Sequence, residues 1–156
     1  MWPTIPFNIA LVEPEIPPNT GSIARLCGAT GTILHLIEPL GFRTDDRSLK
    51  RAGLDYWKHV TIQYWQGLDV FLDQTASKRR FFLSKKATRS YTEARFAPGD
   101  FLIFGKETLG LPEDILDAHA ESCYVIPMAS PHIRSLNLAM SAGIVLYEAL
   151  RQQKVA

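Results

Sequence analysis

The sequence predicts an α/β fold, with a mostly parallel sheet and helices on both faces. Three observations point there. Its strand-like runs, among them Phe7 to Val12, Thr32 to Ile37 and Phe101 to Phe104, are apolar at almost every position, as strands covered on both sides are. Those runs alternate with segments of helical spacing. Several of them stop at Glu-Pro or Gly-Lys turns, and open α/β folds place their ligands just beyond such strand ends.

Taken in order, Phe7 to Val12 reads as a buried strand that stops at Glu13-Pro14. Pro17-Pro18 then breaks the chain, and Asn19 is placed to cap a helix from Thr20 to about Ala29. Gly31 ends that helix, and Thr32 to Ile37 is a second strand, closed again by Glu-Pro. Asp45 or Asp46 can cap a short basic helix reaching about Gly53. His59 to Tyr64 is the next strand, and Gly67 to Gln74 a helix with Leu68, Phe71 and Leu72 on one face. Arg80 to Leu83, Phe101 to Phe104 and Tyr124 to Ile126 are short apolar strands. Between the last two, Pro112 to Ala118 is a short helix with proline near its first turn and acids following, as the helix dipole favours. The final helix runs from about Ser135 to Gln152. Leu136, Met140, Ile144, Tyr147 and Leu150 fall near one stripe, and Ala139, Ala142 and Gly143 permit close helix approach.

With 156 residues, 46% of them hydrophobic, residues 1–156 read as one domain with a substantial core. Cys27 and Cys123 lack redox or metal-ligand spacing, so buried reduced thiols in a cytoplasmic protein are expected. No leader segment is visible, and no apolar run approaches the ~20 residues of a membrane helix. His35, His59, His119 and His132 form no ligand pattern, so no metal is expected. Net charge is only +1, yet the charges are sorted. Seven cations lie between Lys78 and Arg95 against Glu93 alone, and Arg43, Arg47, Lys50 and Arg51 form a second cluster. Such asymmetry suits a local anionic partner.

Three segments carry polar groups where core or plain loop would not need them. Asn19-Thr-Gly-Ser-Ile-Ala-Arg25 opens a helix after the first strand, a position suited to anions, although a capped helix explains it equally well. Phe104-Gly-Lys-Glu-Thr-Leu-Gly-Leu111 leaves a strand through a glycine that permits close backbone approach to a flat ligand. Ile126-Pro-Met128 begins a connection long for its kind, ending in Arg134-Ser-Leu-Asn-Leu138. Ser135 is a ready helix cap, whereas Asn137 inside an apolar helix start calls for a partner. One βαβ step between them would set the second and third of these segments side by side in a parallel sheet.

Together the three segments resemble the ordered motifs of the SPOUT superfamily of RNA methyltransferases. Leu11-Val-Glu-Pro-Glu-Ile-Pro-Pro-Asn-Thr20, Leu36-Ile-Glu-Pro-Leu-Gly-Phe42 and Gly53-Leu-Asp-Tyr56 are similar to its minimal tRNA wobble-nucleotide 2′-O-methyltransferases. The resemblance covers nearly the whole chain. It implies a deep C-terminal trefoil knot within about residues 80–156, a homodimer, and S-adenosylmethionine as methyl donor, leaving S-adenosylhomocysteine. The implied substrate is the ribose 2′-hydroxyl of nucleotide 34 in the tRNA anticodon stem-loop, with no role for DNA or a membrane. Another tRNA or rRNA ribose, or a non-catalytic nucleotide-binding knot protein, are the alternatives. Residue by residue, it implies cofactor contacts at Leu83, Gly105, Ile126, Met128, Ser135 and Leu136. It surrounds the transferred methyl with Arg25, Asn19, Glu107, Ser135 and Asn137, Arg25 coming from across the dimer. A guanidinium stays protonated, so Arg25 is assigned orientation and oxyanion stabilisation, with Glu107 or a phosphate oxygen as candidate base. Lys85, Lys86 and Arg89, with Arg43, Arg47, Lys50 and Arg51, become candidate RNA-phosphate contacts.

Overall fold

A computed structural model describes residues 1–44, 47 and 57–155. The sheet has six strands, β1 (Asn8–Val12), β2 (Ile33–Ile37), β3 (Ile62–Trp65), β4 (Arg80–Leu83), β5 (Phe101–Phe104) and β6 (Cys123–Tyr124). They lie in the order β3-β2-β1-β5-β4-β6 and every pairing is parallel, so β4 stands between β5 and β6, which the sequence reading set side by side. The helices are α1 (Pro17–Thr30), α2 (Leu68–Gln74), α3 (Glu113–Ala118) and α4 (Leu138–Gln152).

The period-two geometry of strands divides the core into two layers. Ile9, Leu11, Phe81, Leu83, Leu102 and Phe104 face α1 and α4, packing with Ile23, Cys27, Val145 and Leu146. Ala10, Val12, Phe82, Phe101 and Ile103 face the other way, against Phe71 of α2 and Leu116 of α3. This is why β1, β4 and β5 are apolar at successive positions. The register sets Leu11, Phe104, Leu83 and Tyr124 level with one another. Strand order reverses between β1 and β5, and a crevice opens on one side of that reversal, at the carboxyl ends of β5, β4 and β6.

Several element boundaries differ from the sequence expectation. Pro17-Pro18 does not break the chain but forms the first turn of α1, where missing N–H groups and fixed φ are tolerated. Asn19 is therefore inside the helix rather than its cap. Gly31 does end α1, in the left-handed region at φ 68°. The third strand occupies Ile62–Trp65 instead of His59 to Tyr64. β6 stops at Tyr124, while Val125 bridges to Ser90 and Ile126 lies beyond the strand. The expected basic helix from Asp45 or Asp46 to about Gly53 lies outside the described residues, as does the Gly53–Tyr56 segment, Arg47 apart.

The final helix is corrected most. It starts at Leu138, with Asn137 and not Ser135 as its cap. Its buried side is Leu138, Ala142, Val145, Leu146, Ala149 and Leu150, whereas Met140, Ile144 and Tyr147 of the expected stripe are 64%, 37% and 51% exposed. The helix is apolar nearly all round, so periodicity could not say which side faces inward. Small Ala142 and Ala149 let it settle on the sheet and α1. Among the described residues no helix is long and apolar enough to cross a membrane.

Candidate active site

The site begins where β5 ends. A Cβ at Gly105 would lie 2.2 Å from both the Gly110 carbonyl carbon and the Leu111 nitrogen, so only glycine lets the chain fold back on itself here. The Gly110 N–H donates to the Lys106 carbonyl at 2.9 Å, and Gly110 takes φ 70°. The result is a tight loop, residues 105–110, held over the carboxyl ends of β4 and β5.

That loop is laced to the start of α1. Lys106 Nζ pairs with Glu13 Oε1 at 3.0 Å, and Glu13 adopts φ 52°. The Thr108 amide and hydroxyl donate to Glu15 Oε1 at 3.0 and 2.7 Å, holding the Glu15 carboxyl below its ordinary pKa. In return Glu107 accepts from the backbone N–H groups of Glu15 and Ile16 at 2.8 and 2.9 Å. A cap for α1 is thus supplied from ninety residues away, not by a neighbouring side chain.

Donor and acceptor polarity fixes the orientation of the remaining amides. The Ala139 and Met140 N–H groups can only donate, so Asn137 turns Oδ1 to them, at 2.8 and 3.2 Å. Its Nδ2 then donates to Asn19 Oδ1 at 3.0 Å. The Asn19 Nδ2 is left facing Glu107 Oε2, at 3.2 Å. Each amide orientation follows from the one before. The chain ends on a carboxylate that accepts three N–H bonds and links the 105–110 loop, α1 and the start of α4.

Beside this chain lies a cavity of about 380 Å³. Leu83, Gly105, Ile126, Met128, Ser135 and Leu136, the residues expected to contact the cofactor, all line it, as do Asn19, Glu107 and Asn137. Its walls combine apolar side chains with the strand-end backbone around Gly105 and Val125. Arg25 does not join them. It is exposed on α1, and six residues at about 100° each turn it roughly 240° from Asn19.

The candidate RNA contacts are spread out. Lys85 and Lys86 stand at the cavity, with Lys86 also pairing with Glu113. Arg89 lies over the Tyr124 ring, 4.6 Å from its centroid, and donates to the Glu121 carbonyl. Arg43 and Arg47 are exposed, while Lys50 and Arg51 lie outside the described residues. Among the described residues no group of three His, Cys, Asp or Glu side chains is arranged to hold a metal.

Sequence reasoning missed the lacing by Glu13, Glu15 and Thr108. Its signal was present in Glu13-Pro-Glu15, read as a strand stop and as part of the family resemblance but not as a partner for the 105–110 loop. It also missed a buried relay across the sheet. Trp65 Nε1 donates to His35 Nδ1 at 3.0 Å, so His35 carries its proton on Nε2 and donates to Asn8 Oδ1 at 2.9 Å.

A family model described as the SpoU rRNA Methylase family matches residues 6–147. The tRNA (cytidine(34)-2′-O)-methyltransferase of Escherichia coli (strain K12) is 49% identical over 147 residues, covering 94% of this chain and 93% of its own. The enzyme of the same name from Methylovorus glucosotrophus (strain SIP3-4) is 46% identical over 150 residues, covering 96% and 97%. A solved structure concerned with the 2-OH methylation of C/U34 on tRNA matches with a TM-score of 0.91 at 44% identity, covering 96% and 97% of the two chains. The AdoMet-bound rRNA methyltransferase from Sinorhizobium meliloti, at 24% identity, shares the fold with a TM-score of 0.86, this whole chain matching 60% of that one.

Proposed function

Because the chain belongs to the SpoU methylase family, we propose that it methylates the ribose 2′-hydroxyl of nucleotide 34 in tRNA, using S-adenosylmethionine. The observation that carries the reading is a cavity at the carboxyl ends of β4, β5 and β6, lined by all six expected cofactor residues and bordered by the Glu107–Asn19–Asn137 chain. Near-complete coverage of relatives named for that reaction supports nucleotide 34 as the target.

The residues present fit the methyl donor. Leu83, Ile126, Met128 and Leu136 offer apolar walls, and the strand-end backbone around Gly105 and Val125 offers polar groups to a purine edge. When bound, S-adenosylmethionine supplies an electrophilic methyl for the 2′-oxygen. Glu107, Asn19 and Asn137 hold the cavity wall in one geometry, which is preorganisation rather than proton transfer. Both Glu107 oxygens already accept N–H bonds, so the role of base passes to a phosphate oxygen of the substrate. Ser135 is exposed at the cavity edge and positions the ribose. Arg25, always protonated, orients the hydroxyl and stabilises its developing charge.

One chain does not bring Arg25 to the cavity, so the reading includes a homodimer in which the partner supplies it. The exposed apolar residues Met140, Ile144 and Tyr147 on α4 are suited to that interface. The trefoil knot, within about residues 80–156, belongs to the same proposal, with residues 126–137 forming the segment that closes the cavity. Lys85, Lys86 and Arg89 approach phosphates of the anticodon stem-loop, and a tRNA substrate places the enzyme in the cytoplasm.

The test is incubation with labelled S-adenosylmethionine and tRNA lacking the modification, followed by mapping of the labelled nucleotide. Label at nucleotide 34 is expected. Arg25→Ala should abolish transfer and leave cofactor affinity unchanged. Absence of labelled RNA at saturating protein, or equal loss of transfer and cofactor binding in Arg25→Ala, contradicts the reading.

A further inference from the structure

Of the seven cations between Lys78 and Arg95, the proposed function uses only Lys85, Lys86 and Arg89. The other four converge elsewhere. Lys78, Arg79, Arg80 and Arg95 line an open cleft of about 510 Å³ that includes His119 and Ser122. It lies at the amino ends of β4 and β6, opposite the cofactor cavity. Arg80 and Leu83 are the two ends of β4, so the Arg80 backbone lies roughly 10 Å from Leu83 at the cavity, at a strand rise of ~3.3 Å per residue.

The cleft is built, not merely a row of solvated charges. Arg79 is held by both oxygens of Asp100, at 2.8 and 3.2 Å, and Asp100 is itself buried. Arg80 Nη1 is held by the Leu72 carbonyl at 2.8 Å and the Thr75 hydroxyl at 3.2 Å. Each guanidinium keeps further N–H donors for the cleft. Lys78 and Arg95 are exposed, and neither side chain has a partner among the described residues. Glu93 is the one acid among the described residues lining the cleft, and its carboxylate accepts from the Ser90 N–H. Phe81, Phe82 and Tyr124 in its floor are buried, and the half-buried His119 ring is stacked on Phe82, so the cleft presents chiefly donors and positive charge. Arg89, over Tyr124, continues the positive charge toward Lys85 and Lys86.

We propose that this cleft is a second RNA-backbone site, gripping phosphates of the same tRNA whose target nucleotide lies at the cofactor cavity. Lysine and arginine without base-reading groups recognise phosphate and set register without encoding sequence. A band of cations running the length of β4 suits a polyanionic strand better than one small anion. The inference rests on tRNA being the substrate.

The test measures tRNA binding directly, by filter binding over a salt series without cofactor, alongside steady-state methylation. The double variant K78Q/R95Q removes the two cations that hold nothing else in place. Its Kd and KM for tRNA should rise about tenfold, and its salt slope should flatten by roughly 1.4–1.8, for two phosphate contacts. The kcat and the S-adenosylmethionine affinity should stay at wild-type values, and the charge-preserving K78R/R95K should bind as wild type does. Unchanged Kd and salt slope in K78Q/R95Q overturn the cleft assignment, as does a loss that K78R/R95K fails to restore. Either result leaves the proposed methyl transfer standing. Wild-type protein that binds tRNA through the cleft yet labels no RNA would sink the reaction and keep the site.

Discussion

Truncating Glu107 to alanine tests whether one carboxylate ties the catalytic region together. It accepts from the Glu15 N–H at 2.8 Å, the Ile16 N–H at 2.9 Å and Asn19 Nδ2 at 3.2 Å. A hydrogen bond to a charged group contributes roughly 1.5–3 kcal/mol when buried. Here the Ile16 bond is exposed and the other two part-buried, and water can replace some of what is lost. The net loss for Glu107→Ala should be about 2–3 kcal/mol, read as a fall of roughly 5–10 °C in Tm for a chain of this size. Glu107→Gln keeps one acceptor oxygen but turns an amide donor toward an N–H donor, so it should recover less than half. Calorimetry measures both, and titration with S-adenosylmethionine should show about tenfold weaker binding for the alanine variant as the cavity wall loosens. A Tm within about 1 °C of wild type would mean the α1 start and the 105–110 loop are held by other contacts, and the positioning role would fall.

Two further outcomes follow from other features. Gly105→Ala forces a Cβ to within 2.2 Å of backbone at Gly110 and Leu111. The 105–110 loop must then move, and S-adenosylmethionine binding should be lost in calorimetric titration; retained binding would show that the loop does not frame the cofactor. Burial lowers the His35 pKa from 6.5 to about 4, so as pH falls the unfolded chain takes up that proton first. The stability given by neutral His35 is complete above pH 6.5 and disappears as pH drops toward about 4, a loss of about 3 kcal/mol across that window. Urea denaturation should show this dependence in wild type and not in His35→Gln; equal slopes in the two proteins would refute it.

Much of the fold was legible because strands buried on both faces advertise themselves. Phe101 to Phe104 and Arg80 to Leu83 are found at the expected residues, and six cofactor candidates drawn from four separate stretches line one cavity. What was misread depended on partners distant in sequence. Asn19 looked like a local cap because nothing nearby suggested that Glu107 would perform that task. Asn137 was seen to need a partner, but its two roles, capping α4 and bonding Asn19, required both elements in place. The apolar stripe chosen on the last helix faces outward because α4 is apolar nearly all round, and packing chose the side carrying Ala142 and Ala149. Four of the cations between Lys78 and Arg95 were counted in sequence, but their convergence at the far end of β4 was not visible there.

The sequence by itself therefore determined most of the strands, the parallel sheet and the polar strand-end turns that border the cavity, because apolar continuity and turn residues are local properties of the chain. Only the tertiary structure decided which polar groups complete one another, which face of α4 is buried, and that Arg25 points away from its own chain's cavity. Those outcomes are set by contacts between residues about ninety or more positions apart, and by helix rotation that a short stretch of sequence does not encode.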